Sequence, residues 1–350
     1  MRALDIEVAS RAALAVALPL IVLVAIGRIE WVAYASFGGM TALYGRAEVY
    51  RVRMRTVTIG AVCLLVCIGL GLAMAVTAAP LVVQVVGLVV VIAGGLLVGA
   101  MGGLFPPTPI FFVFAYVVCA QAPTPSDEVV PRFLAALITA VFAWLLTMSG
   151  SLLRRYSSER SDALFKELKP GRESRLDAYR DPRVWLAIVQ NVVGALLAGG
   201  LAMLVGIGHP YWAVVSVIAV TPPPGAAHSI SRAIHRIIGT CLGVLVTGLV
   251  LYPDPPIWVL IVVIVVSQFG AEILVGKHYG AALLFITPLA LTVAHLAAPV
   301  PVSGLLIDRA VETALGGIIA IALVLLAKWL FPPGPQSAAG SGAPATAPVS

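Results

Sequence analysis

The chain has 350 residues, of which 60% are hydrophobic and only 11% are charged. Soluble domains carry about 25% charged residues, so this chain has too few charges to cover a surface that faces water. The composition therefore excludes a cytosolic enzyme, a nucleic-acid-binding protein and a secreted disulfide scaffold, and it predicts a protein whose partner is the lipid bilayer.

Twelve apolar runs follow one another along the chain, and we predict an all-α integral membrane protein with one helix in each. Strands are not expected because the runs lack the alternation of barrel strands. The second, fifth and eighth runs are shorter than the roughly 20 residues of a full crossing, so they thin the bilayer or form half-helices. The predicted spans are 12–27, 31–45, 56–79, 81–103, 108–121, 132–152, 184–206, 210–222, 237–252, 257–275, 279–298 and 305–331.

Breaks in composition divide the chain into four segments. A first six-helix repeat is predicted over 1–152 and a second over 184–331. The charged stretch 153–183 between them is interpreted as a cytoplasmic linker. Residues 332–350 are rich in proline, glycine, alanine and serine, a composition typical of disorder.

The basic residues predict the orientation in the membrane. If the N-terminus is cytoplasmic and all twelve runs cross, 19 of the 22 lysines and arginines lie on the cytoplasmic side. Such a bias is the positive-inside rule. We therefore expect a multi-pass protein of the inner membrane with both termini in the cytoplasm.

The two sets of six runs resemble each other. Trp31 and Trp212 are 181 residues apart, and the same offset relates the arginines at 51 and 55 to those at 232 and 236. Later the offset falls to 177, which relates Arg132 to Arg309. Because each set has an even number of runs, both begin on the same side, and we predict a parallel 6+6 internal repeat.

The repeated arginine pairs are the strongest candidates for a substrate site. Arg51 with Arg55, and Arg232 with Arg236, are four residues apart, so each pair lies on one helix face. Brought together across a pseudo-twofold axis, the four would form a ring of guanidinium groups, which bind carboxylates well. The alternative is that they only set topology by reaching lipid phosphates.

An acidic group in the last span is the candidate for proton coupling. Asp308, Arg309 and Glu312 share one helix face near the start of that span. A carboxyl group in apolar surroundings can carry a proton, as in coupled transporters. The alternative is a local Arg309–Glu312 pair that only neutralises itself.

The sequence contains no C-x-x-C pair and no phosphate-binding glycine motif, so no catalytic residue, metal or cofactor is predicted.

The stretch from His209 to Gly243 resembles the fusaric acid resistance family, which belongs with the aromatic acid exporters. The resemblance rests on Tyr211-Trp212-Ala213, on Pro222, on Arg232 and Arg236, and on Gly239-Thr240 followed by Gly243. The segment from Asp308 also resembles the last helix of that family.

The resemblance implies a transporter that exports small organic anions, expected to be aromatic carboxylates, with the arginine pairs, Trp31 and Trp212 as substrate-binding residues. It also implies a six-span unit that works as a pair, so a homo-oligomer or an accessory efflux subunit is an expected partner. Two alternatives stay open: a passive anion channel, and a non-transporting membrane scaffold in envelope assembly.

Overall fold

The structure is a computed structural model that describes residues 3–46, 48–156, 168, 170–171, 174–206, 208–221, 226–297 and 300–330. Part of the predicted linker lies outside these ranges, and the predicted disordered tail lies wholly outside them. Pro222, one of the residues that carry the family resemblance, also lies outside the described residues.

The described chain is all α-helical, with a few short 3-10 turns between the helices. Each of the twelve predicted runs contains an α-helix. The helices are α1 (Ala3–Ala25), α2 (Val32–Gly39), α3 (Tyr50–Val76), α4 (Leu81–Gly102), α5 (Ile110–Gln121), α6 (Val129–Tyr156), α7 (Pro182–Leu204), α8 (Tyr211–Val220), α9 (Ala226–Leu251), α10 (Ile257–Leu274), α11 (Tyr279–Ala297) and α12 (Val302–Leu330).

Nine of the helices within the described ranges are long and apolar enough to cross a membrane. The exceptions are α2, α5 and α8, the three that the sequence predicts to be short. The protein is thus a multi-pass membrane protein, and twelve full crossings stay a prediction. The largest errors in the predicted helix starts are at α1, α3 and α9, which begin 9, 6 and 11 residues earlier than expected, so that α3 and α9 include their arginines. Helix α2 ends 6 residues before the end of its predicted span.

The outward faces of the long helices are apolar. On α3 the exposed side chains Val62, Val66 and Leu70 recur every four residues, and other helices show similar rows. Such rows follow one side of a helix, and in a membrane they meet lipid tails. The packed interior therefore has to be recognised from polar and small residues rather than from hydrophobicity.

The short helices lie inside the bundle. Every residue of α2 is buried, as is every residue of α8 after Tyr211. Helix α2 packs on α6, and α8 packs on α12 and α7. The first six helices meet the last six through the pairs α1–α10 and α4–α7, and through α2–α11 and α5–α8. These packing relations put α8 at the centre of the contacts that build the candidate site.

Candidate functional site

Two of the predicted arginines converge on a tyrosine. Arg236 on α9 is only 3% exposed and donates a hydrogen bond of 3.0 Å to the hydroxyl oxygen of Tyr279 at the start of α11. The guanidinium carbon of Arg232 lies 4.1 Å from the centre of the same ring. Arg232 also donates from Nε to the main-chain oxygen of Ala219 at 2.8 Å, near the end of α8. The i, i+4 spacing thus puts both side chains on the inward face of α9.

A basic pocket opens beside this arginine pair. Its volume is about 550 Å³ and it is lined by residues of α9, α11 and the turn before α11: Ser231, Arg232, His235, Lys277, His278, Tyr279, Gly280 and Ala281. None of these lining residues is acidic. Arg232 and Lys277 thus bring two basic side chains to a pocket whose described lining residues include no carboxylate, an arrangement that favours anions.

A third arginine lies deeper, on α12. Arg309 is 1% exposed, and its guanidinium carbon is 4.0 Å from the centre of the Trp212 ring. It interacts electrostatically with Arg236 and with Tyr279. Two of its nitrogens, Nε and Nη1, are buried without a hydrogen-bond partner. Arg232, Arg236 and Arg309 thus form a row of positive groups that leads from the pocket toward the start of α8.

The acidic residues of α12 contact the start of α8. The Nδ1 atom of His209 is 2.7 Å from Oδ2 of Asp308. The backbone N–H of His209 donates to Oε1 of Glu312 at 3.1 Å. Glu312 is fully buried, whereas the His209 and Asp308 side chains are 22% and 19% exposed. Glu312 is therefore linked through α8 to groups that reach the surface.

Close packing at Gly208 permits the His209–Asp308 contact. A Cβ atom at this position would lie 2.6 Å from Oδ2 of Asp308. Any larger residue would push the carboxylate away from the imidazole.

The first-half arginine pair has a different environment. Arg51 and Arg55 are exposed on the outer face of α3, and Arg55 donates to Oγ of Ser174 at 3.2 Å. The matching positions in the second half point inward. The two arginine pairs that the offset of 181 relates therefore differ in burial. The ring of four guanidinium groups stays a prediction.

Trp31 also differs from its partner Trp212. Trp31 is half-buried and donates from Nε1 to Oε2 of Glu128 at 2.6 Å, and Arg28 lies over its ring at 5.2 Å. Trp212 is 2% exposed and its ring is 5.1 Å from that of Phe114 on α5. Only Trp212 therefore lies among the arginines of the candidate site.

Sequence reasoning missed Tyr279, Lys277 and His209. Lys277 lies between the predicted tenth and eleventh spans, Tyr279 is the first residue of the eleventh, and His209 stands beside a proline. Their only signal is position, since each lies next to a span end on the side where the arginines or the acids are found. Within the described ranges, no three histidine, cysteine, aspartate or glutamate side chains converge as metal ligands.

Comparisons with known proteins find a family similarity in the second half of the chain. Residues 192–323 match the family described as fusaric acid resistance protein-like. An uncharacterized protein of Synechocystis sp. is 32% identical over 137 residues, which are 39% of this chain and 18% of that protein. The chain thus spans about a fifth of that relative's length. No solved structure matches the chain.

The matched region extends from α7 into α12 and contains Trp212, Arg232, Arg236, Arg309 and Glu312. The resemblance expected from the motif around Trp212 is thereby confirmed. Over residues 192–323, this multi-pass membrane protein is similar to the family described as fusaric acid resistance protein-like.

Proposed function

We propose that the protein is an inner-membrane transporter, not an enzyme, that exports small organic anions, with aromatic carboxylates as the expected class. The observation that carries the proposal is the basic pocket at Arg232 and Lys277, which has no acid among its lining residues. A carboxylate that enters it would meet the guanidinium fork of Arg232, which suits planar anions, and Arg236 holds Tyr279 in the pocket wall.

The pathway we propose runs along α8. At the end of this helix the pocket reaches Arg232, which is bonded to Ala219. Near its start, Arg309 lies over Trp212. Arg236 and Arg309 act on each other electrostatically, so an anion that leaves the first would be attracted by the second. Sites that bind an ion in succession, each weakly enough to release it, are how membrane pathways conduct.

Proton coupling would use the acids beside this route. Glu312 is fully buried and keeps one oxygen, Oε2, without a hydrogen-bond partner. The partly exposed His209–Asp308 pair lies next to it. We propose that Glu312 carries the coupled proton and that Arg309 balances the charge when the carboxyl group is ionised.

The parallel 6+6 repeat, also a proposal, is supported by matched packing. If α1–α6 correspond to α7–α12, the contact α1–α10 matches α7–α4, and α2–α11 matches α8–α5. Arg132 on α6 lies over Tyr34 of α2 at 5.5 Å, as Arg309 on α12 lies over Trp212 of α8. With this repeat and the positive-inside bias, the basic pocket would open to the cytoplasm.

Anion flux in proteoliposomes tests the function. We expect wild-type protein to release preloaded aromatic carboxylates, and the double variant Arg232→Ala/Arg236→Ala to lose about tenfold or more of that flux, because hydrogen bonds to charged groups contribute about 1.5–3 kcal/mol each. The variant Arg51→Ala/Arg55→Ala is the matched control, since it removes the same charges from the exposed face of α3.

Equal flux by the wild type and the α9 variant would contradict the proposed site. Equal losses in both double variants would favour the ring of four arginines instead. Purified protein that moves no anion at all would favour the scaffold alternative.

A further inference from the structure

The first half buries two arginines that the proposed pathway does not use. Arg53 on α3 is 0% exposed and Arg11 on α1 is 6% exposed. Arg53 acts electrostatically on Arg11, so the two positive charges are close enough to repel each other. Burying a charge is strongly unfavourable unless an opposite charge or hydrogen-bond acceptors accompany it. This pair therefore requires a compensating group.

The protein supplies few acceptors to the two guanidinium groups. All three nitrogens of Arg53, and Nε and Nη2 of Arg11, are buried without a hydrogen-bond partner. The guanidinium carbon of Arg53 is 4.4 Å from the centre of the Tyr50 ring, a cation–π contact that satisfies none of the N–H groups. Five donor nitrogens of the two guanidinium groups are thus buried without a hydrogen-bond partner.

The neighbouring acids compensate Arg11 rather than Arg53. Glu7 forms an ion pair with Arg11 one helical turn away, with 3.9 Å between Oε1 and Nη1. Glu272 acts on Arg11 from a distance, but it is held by Arg46 at 3.0 Å. Among the residues that the structure describes, no carboxylate forms a salt bridge with Arg53.

The other polar groups of α3 at this point are also unpartnered. Thr56 lies one turn after Arg53, is fully buried, and its hydroxyl has no hydrogen-bond partner. Tyr50 lies one turn before Arg53, and its hydroxyl oxygen is likewise buried and unpartnered. Hydroxyl groups can donate, so the whole cluster can present donors to one ligand.

We propose that Arg11, Arg53, Tyr50 and Thr56 form a binding site for a small inorganic anion of the size of chloride, inside the first half of the bundle. Two guanidinium groups with flanking hydroxyls are suited to an anion. Because Arg53 is fully enclosed, the site fits a freely diffusing ion rather than a phosphate that is attached to lipid chains. The site is independent of the proposed transport pocket on α9.

Thermal unfolding of the purified full-length protein in detergent tests the site, with chloride as the probe and gluconate at equal ionic strength as the reference. A ligand that binds only the folded state raises Tm, and we expect saturating chloride to raise it by about 2–4 °C. Arg53→Gln should abolish the rise. Arg51→Gln, which removes the same charge from an exposed position two residues earlier, should keep it.

Thr56→Val tests the site in case the Arg53→Gln protein does not fold. It preserves shape and removes one donor, so we expect it to shift the response to higher chloride concentration. The double variant Arg232→Ala/Arg236→Ala should respond like the wild type, whatever its transport activity.

Four results would overturn the proposal. They are a wild type that does not respond to chloride, an Arg53→Gln protein that responds as the wild type does, loss of the response in the α9 double variant, and a Tm that rises with added phosphatidylglycerol but not with chloride.

Discussion

Buried arginines are the residues that distinguish the interior of this protein from its lipid-facing surface. Three of them, Arg53, Arg132 and Arg309, lie over aromatic rings at 4.4, 5.5 and 4.0 Å. Such a contact contributes about 0.5–2 kcal/mol, far less than the cost of burying an unpaired charge. At Arg53 and Arg309 the aromatic ring leaves N–H groups without a hydrogen-bond partner, whereas Arg132 also donates to Pro123 and Thr124.

Tyr279 should matter through its hydroxyl group. Tyr279→Phe keeps the ring under Arg232 and removes the acceptor of Arg236, so we expect the anion flux to fall several-fold because the Arg236 fork loses its orientation. Tyr279→Leu, which also removes the ring, should lower it further. The measurement is carboxylate flux in proteoliposomes. Tyr252→Phe is the control, because Tyr252 is 67% exposed, and a loss of the same size there would contradict the argument.

Glu312 should decide whether a proton gradient drives export. Glu312→Gln keeps an oxygen that can accept from the backbone N–H of His209 but cannot carry a proton. We expect the variant to transport down the anion gradient and to lose its response to an imposed pH gradient. Flux is measured with and without that gradient, beside Glu30→Gln, whose side chain is 39% exposed. A Glu312→Gln protein that still responds would contradict the assignment, and a wild type that never responds would favour the passive channel.

At the scale of elements, small residues set how closely helices approach. Helix α9 packs on α11 where a Cβ atom at Gly243 would lie 2.7 Å from the main-chain oxygen of Leu283 and 2.6 Å from Cβ of Thr287. Gly239, one turn earlier, is in equally close contact with Gly280. Membrane helices use small residues in this way because packing, rather than the hydrophobic effect, holds them together.

Gly243→Ala should therefore destabilise the bundle by about 1–3 kcal/mol, the usual cost of overpacking. Thermal unfolding in detergent measures it. Gly304→Ala on α12 is the matched control, because a Cβ atom there would meet nothing within 4 Å, and alanine favours a helix by about 1 kcal/mol over glycine. Equal melting temperatures for the two variants would contradict the close α9–α11 contact.

The positions of the helices along the chain could be predicted from the sequence. Which face of each helix points into the bundle could not. Long apolar runs locate α4, α10 and α11 to within a residue. In a membrane, however, outward and inward faces are both apolar, so hydrophobic periodicity does not distinguish them. This is why Arg51 and Arg232 occupy matching positions in the sequence repeat although only Arg232 points inward. Arg53 escaped prediction for the same reason, since it stands among exposed arginines on one short stretch of α3.

At the scale of the whole molecule, the two sets of six helices are fastened by an ion pair. Arg46, after α2, donates from Nη1 to Oε2 of Glu272 on α10 at 3.0 Å, and from Nη2 to the main-chain oxygen of the same residue. Both side chains are mostly buried, at 20% and 11% exposure. The pair lies beside the α1–α10 contact and adds a polar link to an otherwise apolar interface.

Removing one partner of this pair should be costly. Arg46→Gln leaves the Glu272 carboxylate buried and without its cation, and such losses cost about 3–5 kcal/mol. The control is Arg28→Gln, since Arg28 pairs with Glu128 while 49% exposed, and exposed pairs contribute about 0–1 kcal/mol. Thermal unfolding of both variants checks the difference. Similar stability of the two would contradict a structural role for the pair.

The shortness of α8 has a consequence for membrane voltage. Ten residues of helix span about 15 Å, roughly half of the hydrocarbon thickness. The basic pocket lies at one end of α8 and the partly exposed His209 at the other, so water that entered from both sides would leave only this length between. An electric field concentrates where insulation is thinnest, so most of the membrane potential would fall between these ends. An anion that moves from Arg236 past Arg309 would then traverse nearly the full drop, which amounts to about 2.3 kcal/mol per charge at 100 mV. A negative cell interior would by itself drive such an ion outward.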